Sequence, residues 1–204
     1  MPTPSTRSQI IEAADDLFYR QGFEHTSFAH IAETVGISRG NFYHHFKTKD
    51  EILEAVIAVR VARTEAMLAL WEVQGGTPAE RIRSFIHMLI TNQVPIMAHG
   101  CPVGTLCSEL SKLAHPALVQ AGGLFTLFRD WLVRQFEQAG CRANADALAM
   151  HLLACSQGVA VLAQTFHDAA FVETEVAQME EWLGTVLAHP TKRHADAMRP
   201  GTQP

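Results

Sequence analysis

Basic charge is scarce in this chain. Its 204 residues hold 16 Lys and Arg against 21 Asp and Glu, a net charge of -5. The broad positive field that holds many proteins to nucleic acid is therefore missing, and any such binding has to be built locally. Uninterrupted hydrophobic runs are missing too. The most apolar stretch, residues 145–163, contains Asp146, His151, Ser156 and Gln157, which reads as a buried helix and not a membrane span. Met1 to Ser8 is polar, without the charged-then-apolar pattern of a secretion signal. The four cysteines (Cys101, Cys107, Cys141, Cys155) show no C-x-x-C spacing, so they read as reduced thiols in a cytoplasmic protein. There is no G-x-G-x-x-G fingerprint, no His-x3-His or Cys-His cluster with ligand spacing, and no strand of useful length. No cofactor and no metal site are expected.

What is present is helix. Hydrophobic residues make up 48% of the chain, ample for a real core at this length. Ile10, Ala14, Leu17 and Phe18 keep the 3.6 period over about residues 6–21, and Gly22 ends that helix. Thr48 caps a long helix with Asp50 and Glu51 in its first turn, where acids favour the helix dipole. The apolar stripe Ile52, Ala55, Val56, Val59, Ala62, Ala66, Leu70 carries that helix to about Trp71, and Gly75-Gly76 stops it. Thr77-Pro78 opens a helix that reaches about Met97, with Pro95 bending or ending it. Further helices are predicted from Pro102, over 117–139, over 144–167 and over 171–188. The fold class is all-α, about nine helices. Residues 1–50 form a small head, 51–190 a larger helical domain, and 191–204 a flexible tail.

The head is organised around residues 26–49. Ser27 suits an N-cap, and Phe28, Ile31 and Ala32 fall at i, i+3 and i+4 on one apolar face. Gly36, in Val35-Gly36-Ile37, can turn the chain in a left-handed conformation. Ser38 caps a second helix carrying Arg39, Gly40, Asn41, Tyr43, His44 and His45, with Phe42 and Phe46 one turn apart as inward anchors. Two short helices joined this way make a helix-turn-helix, whose second helix can enter the major groove of DNA. The local cations are Arg39, Lys47 and Lys49. Residues 1–60 hold six basic side chains (Arg7, Arg20, Arg39, Lys47, Lys49, Arg60) against eight acidic ones, so Glu12, Asp15, Asp16 and Glu33 have to face elsewhere.

These residues resemble the DNA-binding signature of the TetR family of bacterial transcriptional repressors. The resemblance rests on Gly22-Phe23, Thr26-Ser27, Ile31-Ala32, Val35-Gly36-Ile37-Ser38, Gly40, Phe42-Tyr43-His44-His45-Phe46 and Lys49-Asp50-Glu51. It implies phosphate contacts from Thr26, Ser27, Tyr43, His45 and Lys49, with Ser38 capping the reading helix and His44 beside it. At the start of that helix Arg39 suits guanine and Asn41 adenine, and Gly40 permits close approach. It also implies a homodimer through the helices at about 144–188, which presents two heads to a palindromic duplex, and a small-molecule inducer that releases them. The nearly all-round apolar helix at 148–163 points the same way, since one chain of this size has few helices left to cover it.

Pro102 suits the first position of a helix, which puts Cys101 at its N-cap, where N–H groups and the dipole favour a thiolate. The phrase G-C-P-V-G-T-L-C-S-E-L also resembles a segment of the TetR branch that senses electrophiles and oxidants, and the resemblance makes Cys101 the sensor. Residues 144–188 contain no Lys, so a partner lysine on a later helix is lacking. The other reading of the sensor is a pocket for an apolar ligand walled by Phe85, Met88, Leu89, Phe125, Phe128, Trp131 and Phe166. Two rival classes stand beside the regulator: a thiol-dependent enzyme using Cys101, and a helical interaction protein without DNA binding. Nothing in the residues places a base beside Cys101, so the chain is read as a non-enzyme.

Overall fold

The structure is a computed structural model and describes residues 5–189. The tail expected at 191–204 and most of the arm at 1–5 lie outside the described residues. Ten α-helices follow one another: α1 Thr6–Gln21, α2 Phe28–Val35, α3 Arg39–His45, α4 Lys49–Gln74, α5 Pro78–Thr91, α6 Gln93–His99, α7 Pro102–Lys112, α8 Leu118–Gln138, α9 Ala145–Phe166 and α10 Ala169–Ala188. A short 3-10 turn at Arg142–Asn144 precedes α9. The all-helical, two-part organisation agrees with the sequence reading.

Side-chain caps fix the starts. Ser5, Ser27, Ser38 and Thr48 each accept from the backbone N–H three residues on, which satisfies a donor that helix geometry leaves orphaned. Thr77 and Glu80 form a reciprocal capping box at α5. Gly36 sits at φ 73° and ψ 32°, a left-handed turn in which the Ile37 N–H reaches back to the Ala32 carbonyl at 3.0 Å.

Two apolar clusters result. The first joins α1 to α3 and the first half of α4, around Ile10, Phe18, Ile31, Phe42, Phe46 and Ile52. It runs on into the body through Leu106 and Leu110 of α7. The second lies among α5, α8, α9 and α10, around Phe85, Trp131, Phe136, Leu152 and Leu183. Burial of Phe42 and Phe46 supplies about 2–3 kcal/mol each, enough to hold the seven-residue α3, which would not persist alone.

Two expectations change. The helix predicted over 77–97 is two helices, α5 and α6. Pro95 does not end it; it sits in the first turn of α6, where a missing N–H costs nothing. The break falls at Asn92, with φ -106° and ψ 19°, because a continuous helix would press the proline ring on the carbonyl of residue 91. On α4 the buried line is Ile52, Leu53, Val56, Ile57, Arg60 and Leu68, while Ala62, Ala66 and Leu70 face solvent. An alanine-rich helix fits two neighbouring stripes equally well, and the one observed places Arg60 against Asp15.

Candidate nucleic-acid interface

Helix α3 seals one face and opens the other. Phe42 is buried, whereas Ser38, Arg39, Gly40, Asn41, Tyr43 and His44 are exposed and His45 is half-buried. Among the described residues the side chains of Arg39, Asn41 and His44 make no hydrogen bond, nor does the Tyr43 hydroxyl. The Tyr43 ring stands edge-on to Phe28 at 5.5 Å and is 46% exposed, so the phenol is propped outward on an aromatic base. A Cβ at Gly40 would meet nothing within 4 Å; the protein's own packing does not require glycine there. Ser27, Arg39, Tyr43 and Lys49 share an open groove of about 480 Å³ between α2, α3 and the start of α4. Arg7 of α1, which sequence reasoning passed over, lays its guanidinium over Phe46 at 4.8 Å and adds a cation at the α3–α4 turn. Lys47 donates to the Tyr43 carbonyl.

Thr26 and Lys49 sit differently from the expectation. Thr26 is 1% exposed; its hydroxyl donates to the Gly22 carbonyl at 2.7 Å and accepts from Gln21 at 3.2 Å. It braces the loop before α2 and offers nothing to a phosphate. Lys49 spends two of its N–H groups on the Phe23 and Glu24 carbonyls, at 3.0 and 3.2 Å, and lies over the Phe23 ring at 4.3 Å. One N–H remains for an outside acceptor. Ser27 keeps its hydroxyl proton free, because as N-cap it only accepts.

The acids of α1 do face elsewhere, and they make the joint to the body. Asp15 pairs with Arg60 at 2.6 Å and with Arg63 at 3.1 Å, and Glu12 pairs with Arg63, while Asp16 stays within α1, paired with Arg20 at 2.7 Å. Arg60 also donates to the Pro102 carbonyl at 2.7 Å. The Tyr19 hydroxyl reaches the Pro95 and Gly100 carbonyls at 2.9 and 2.8 Å, and burial pushes its phenol from the ordinary 10 to about 12. None of these partners was anticipated. The one available sign was an arginine in the middle of the apolar run A-V-I-A-V-R-V-A.

The corner between α6 and α7 thus touches α1 on one side. On the other it closes a cavity of about 250 Å³ bounded by α4, α5, α8 and α9. Phe85, Met88, Leu89, Phe125 and Phe128 line it, as do Cys101, Tyr19, Ser156 and Gln157; no charged side chain does. Two expected walls are elsewhere. Trp131 is buried against Trp71, centroids 5.6 Å apart, and its indole N–H has no partner among the described residues. Phe166 is 68% exposed at the end of α9. Both follow the apolar period, which cannot separate a cavity wall from core or from an uncovered face. The Cys101 sulfur, at the N-cap of α7, accepts from the Gly104 N–H at 3.4 Å and from Gln157 Nε2 at 3.5 Å. His99 does not serve it; that ring packs edge-on against Tyr19 at 5.3 Å. All four cysteines are free. Cys141 is the most enclosed of them at 1% exposure, and burial pushes its thiol up.

A helix-turn-helix head with its polar face outward, fixed by its first helix to a helical body that encloses a cavity, defines the class: an all-helical protein with a helix-turn-helix head and a separate helical body in one chain. The sequence pattern of bacterial regulatory proteins of the tetR family matches residues 10–56, and that of the LmrA/YxaF-like transcriptional regulator C-terminal domain matches residues 78–178. The chain belongs to the TetR family of bacterial transcriptional regulators, which are not enzymes. It is 48% identical over 52 residues to the HTH-type transcriptional regulator TtgR of Pseudomonas putida, a match covering 26% of this chain and 25% of that one. It is 42% identical over 69 residues to TcmR of Streptomyces glaucescens, covering 34% and 29%. These matches span only about a quarter of the curated relatives' length. Over most of the chain the likeness is one of fold: a TetR regulator from Legionella pneumophila superposes with a TM-score of 0.78 at 22% identity, covering 89% of this chain and 99% of that one.

Proposed function

We propose that this protein is a homodimeric DNA-binding repressor that grips a palindromic operator through two copies of the α2–α3 pair and lets go when its body binds a small inducer. The observation that carries the reading is the outward face of α3, where Arg39, Asn41, Tyr43 and His44 stand free over a closed core. The phenol, the Ser27 hydroxyl and the remaining Lys49 proton suit phosphate oxygens; Arg39 and Asn41, at the leading end of α3, suit base edges. The dimer is supported by Met150, Val161, Leu162 and Phe166, apolar side chains of α9 left open in one chain. Helices α9 and α10 would cover them in a second copy.

The inducer fits the cavity as a small, uncharged, largely apolar molecule, since nothing charged lines the walls to repay a buried ion. The cavity and α1 share the α6–α7 corner. A ligand that displaces that corner changes how the head is held, which gives it unequal affinity for the two forms. Fluorescence anisotropy with the duplex upstream of its own gene tests the core of this. Specific binding at physiological salt, lost in Tyr43→Ala and Arg39→Ala, is expected; wild-type binding no tighter than to random duplex rules it out.

One observation favours a second trigger. Cys101 borders the cavity, its sulfur accepting from two N–H donors, so a molecule that enters the cavity meets that sulfur. A soft electrophile such as N-ethylmaleimide would be attacked at its alkene carbon by the thiolate, forming a thioether, while the neighbouring carbon takes up a proton. Cys101→Ser should bind DNA normally and resist release by N-ethylmaleimide. Equal release of variant and wild type eliminates the thiol trigger and leaves the cavity.

A further inference from the structure

We infer that Glu109 is a positioning residue that sets the angle of the reading head and so determines which half-site spacing the protein accepts; this rests on the dimeric DNA-binding reading above. Glu109 belongs to the body, on α7. Its two carboxylate oxygens accept the N–H groups of Phe23 and Glu24, each at 2.9 Å, across more than eighty residues of sequence. Those same two residues give their carbonyls to Lys49, at 3.0 and 3.2 Å. The loop between α1 and α2 is therefore held between an anion of the body and a cation of the head, and the peptide joining Phe23 to Glu24 binds both. The N–H and C=O of that peptide point oppositely, so within it each charge polarises the bond made by the other.

Gly22 supplies an independent sign that this contact is built in. It lies at φ +90°, closed to most side chains, and a Cβ there would stand 2.9 Å from Glu109 Oε1 and 3.2 Å from Oε2. The space a side chain would fill is the space the carboxylate occupies. Of the other joints, Tyr19 to the Pro95 and Gly100 carbonyls and Arg60 to Asp15 hold α1, while His115, just past α7, packs edge-on against Phe23 at 5.3 Å and lies 3.5 Å from Asp50. The Glu109 contact is made at the loop that leads into the reading pair itself. Its loss leaves α1 anchored while α2 and α3 gain freedom to tilt.

Tilt is legible in DNA. One added base pair moves a half-site by about 3.4 Å and turns it by about 35°, so a head held at a fixed angle loses register. The duplex to use is a palindrome selected by the wild-type protein from a random pool, together with versions carrying one central base pair more or fewer, and a single half-site. For wild type, one inserted pair should weaken binding about tenfold or more, comparable to loss of base contacts on one side. Glu109→Gln should remain folded and dimeric, bind the half-site like wild type, and lose less than about threefold on insertion. Amide exchange at Phe23 and Glu24 should quicken in the variant.

An unchanged spacing profile in Glu109→Gln overturns the inference, as does an equal loss on half-site and palindrome, which marks a general defect. If Glu109→Gln does not fold, Glu109→Asp serves, since it keeps the charge but draws the carboxylate back from the two N–H groups. A wild-type protein that tolerates every spacing also overturns it. Failure of the wild type to select any duplex strikes the underlying regulator reading instead.

Discussion

Replacing Arg60 with methionine probes the joint between head and body. The side chain is 10% exposed and its Asp15 partner 17%, so both charges have left most of their water. Arg60 gives Nε to Asp15 at 2.6 Å and a second N–H to the Pro102 carbonyl at 2.7 Å. Methionine fills the stem's volume but returns neither bond. Removing one member of a buried pair costs about 3–5 kcal/mol. Arg63, still 3.1 Å from Asp15, offsets part of that, because it leaves the carboxylate a cation at the solvent edge. The expected loss is about 2–3 kcal/mol. For a chain of this size it is a fall of about 4–12 °C in Tm. Urea and thermal unfolding at fixed protomer concentration measure it. Asp15→Asn alone should cost a similar amount. The double variant should cost less than the sum of the singles by about 1–3 kcal/mol, since the second change relieves the charge stranded by the first. Strict additivity, or a loss below about 0.5 kcal/mol, refutes the claim that this pair holds α1 to the body.

Ser38→Ala removes the Oγ that accepts the Asn41 N–H at 3.3 Å; it should cost about 1 kcal/mol and loosen DNA binding by fraying the leading end of α3, as urea unfolding and anisotropy will show. The protein has two tyrosines, and burial holds Tyr19 protonated up to about 12. Its folded pKa lies above the unfolded value, so the stability this phenol contributes is complete below pH 10 and disappears as pH rises through about 12. Tyrosinate absorbance should therefore show a late component that vanishes in Tyr19→Phe, and its persistence there would place the late phenol elsewhere.

Much of the fold was legible because its signals are local. Ser27, Gly36 and Ser38 mark the ends of α2 and α3 by bonds spanning three to five residues, and Phe42 and Phe46 declare their inward face by position. The same locality explains the misreading of Pro95: its effect falls three residues upstream, at Asn92. The stripe on α4 was misplaced because alanines pattern alike on two faces. At the interface, the outward set Arg39, Asn41, Tyr43 and His44 was legible, but Thr26 and Lys49 were not, since their donors are taken by groups that sequence spacing does not reveal.

By itself, then, the sequence determined the helix-turn-helix, the all-helical class and the side chains that α3 turns outward, because caps, glycine turns and apolar period act between near neighbours. Only the tertiary structure decided that Glu109 holds Phe23 and Glu24, that Arg60 meets Asp15, and that Cys101 borders the same cavity as Phe85, Met88, Leu89, Phe125 and Phe128. Those contacts join residues tens of positions apart. Their energy depends on burial and approach distance, which exist only once the helices have packed.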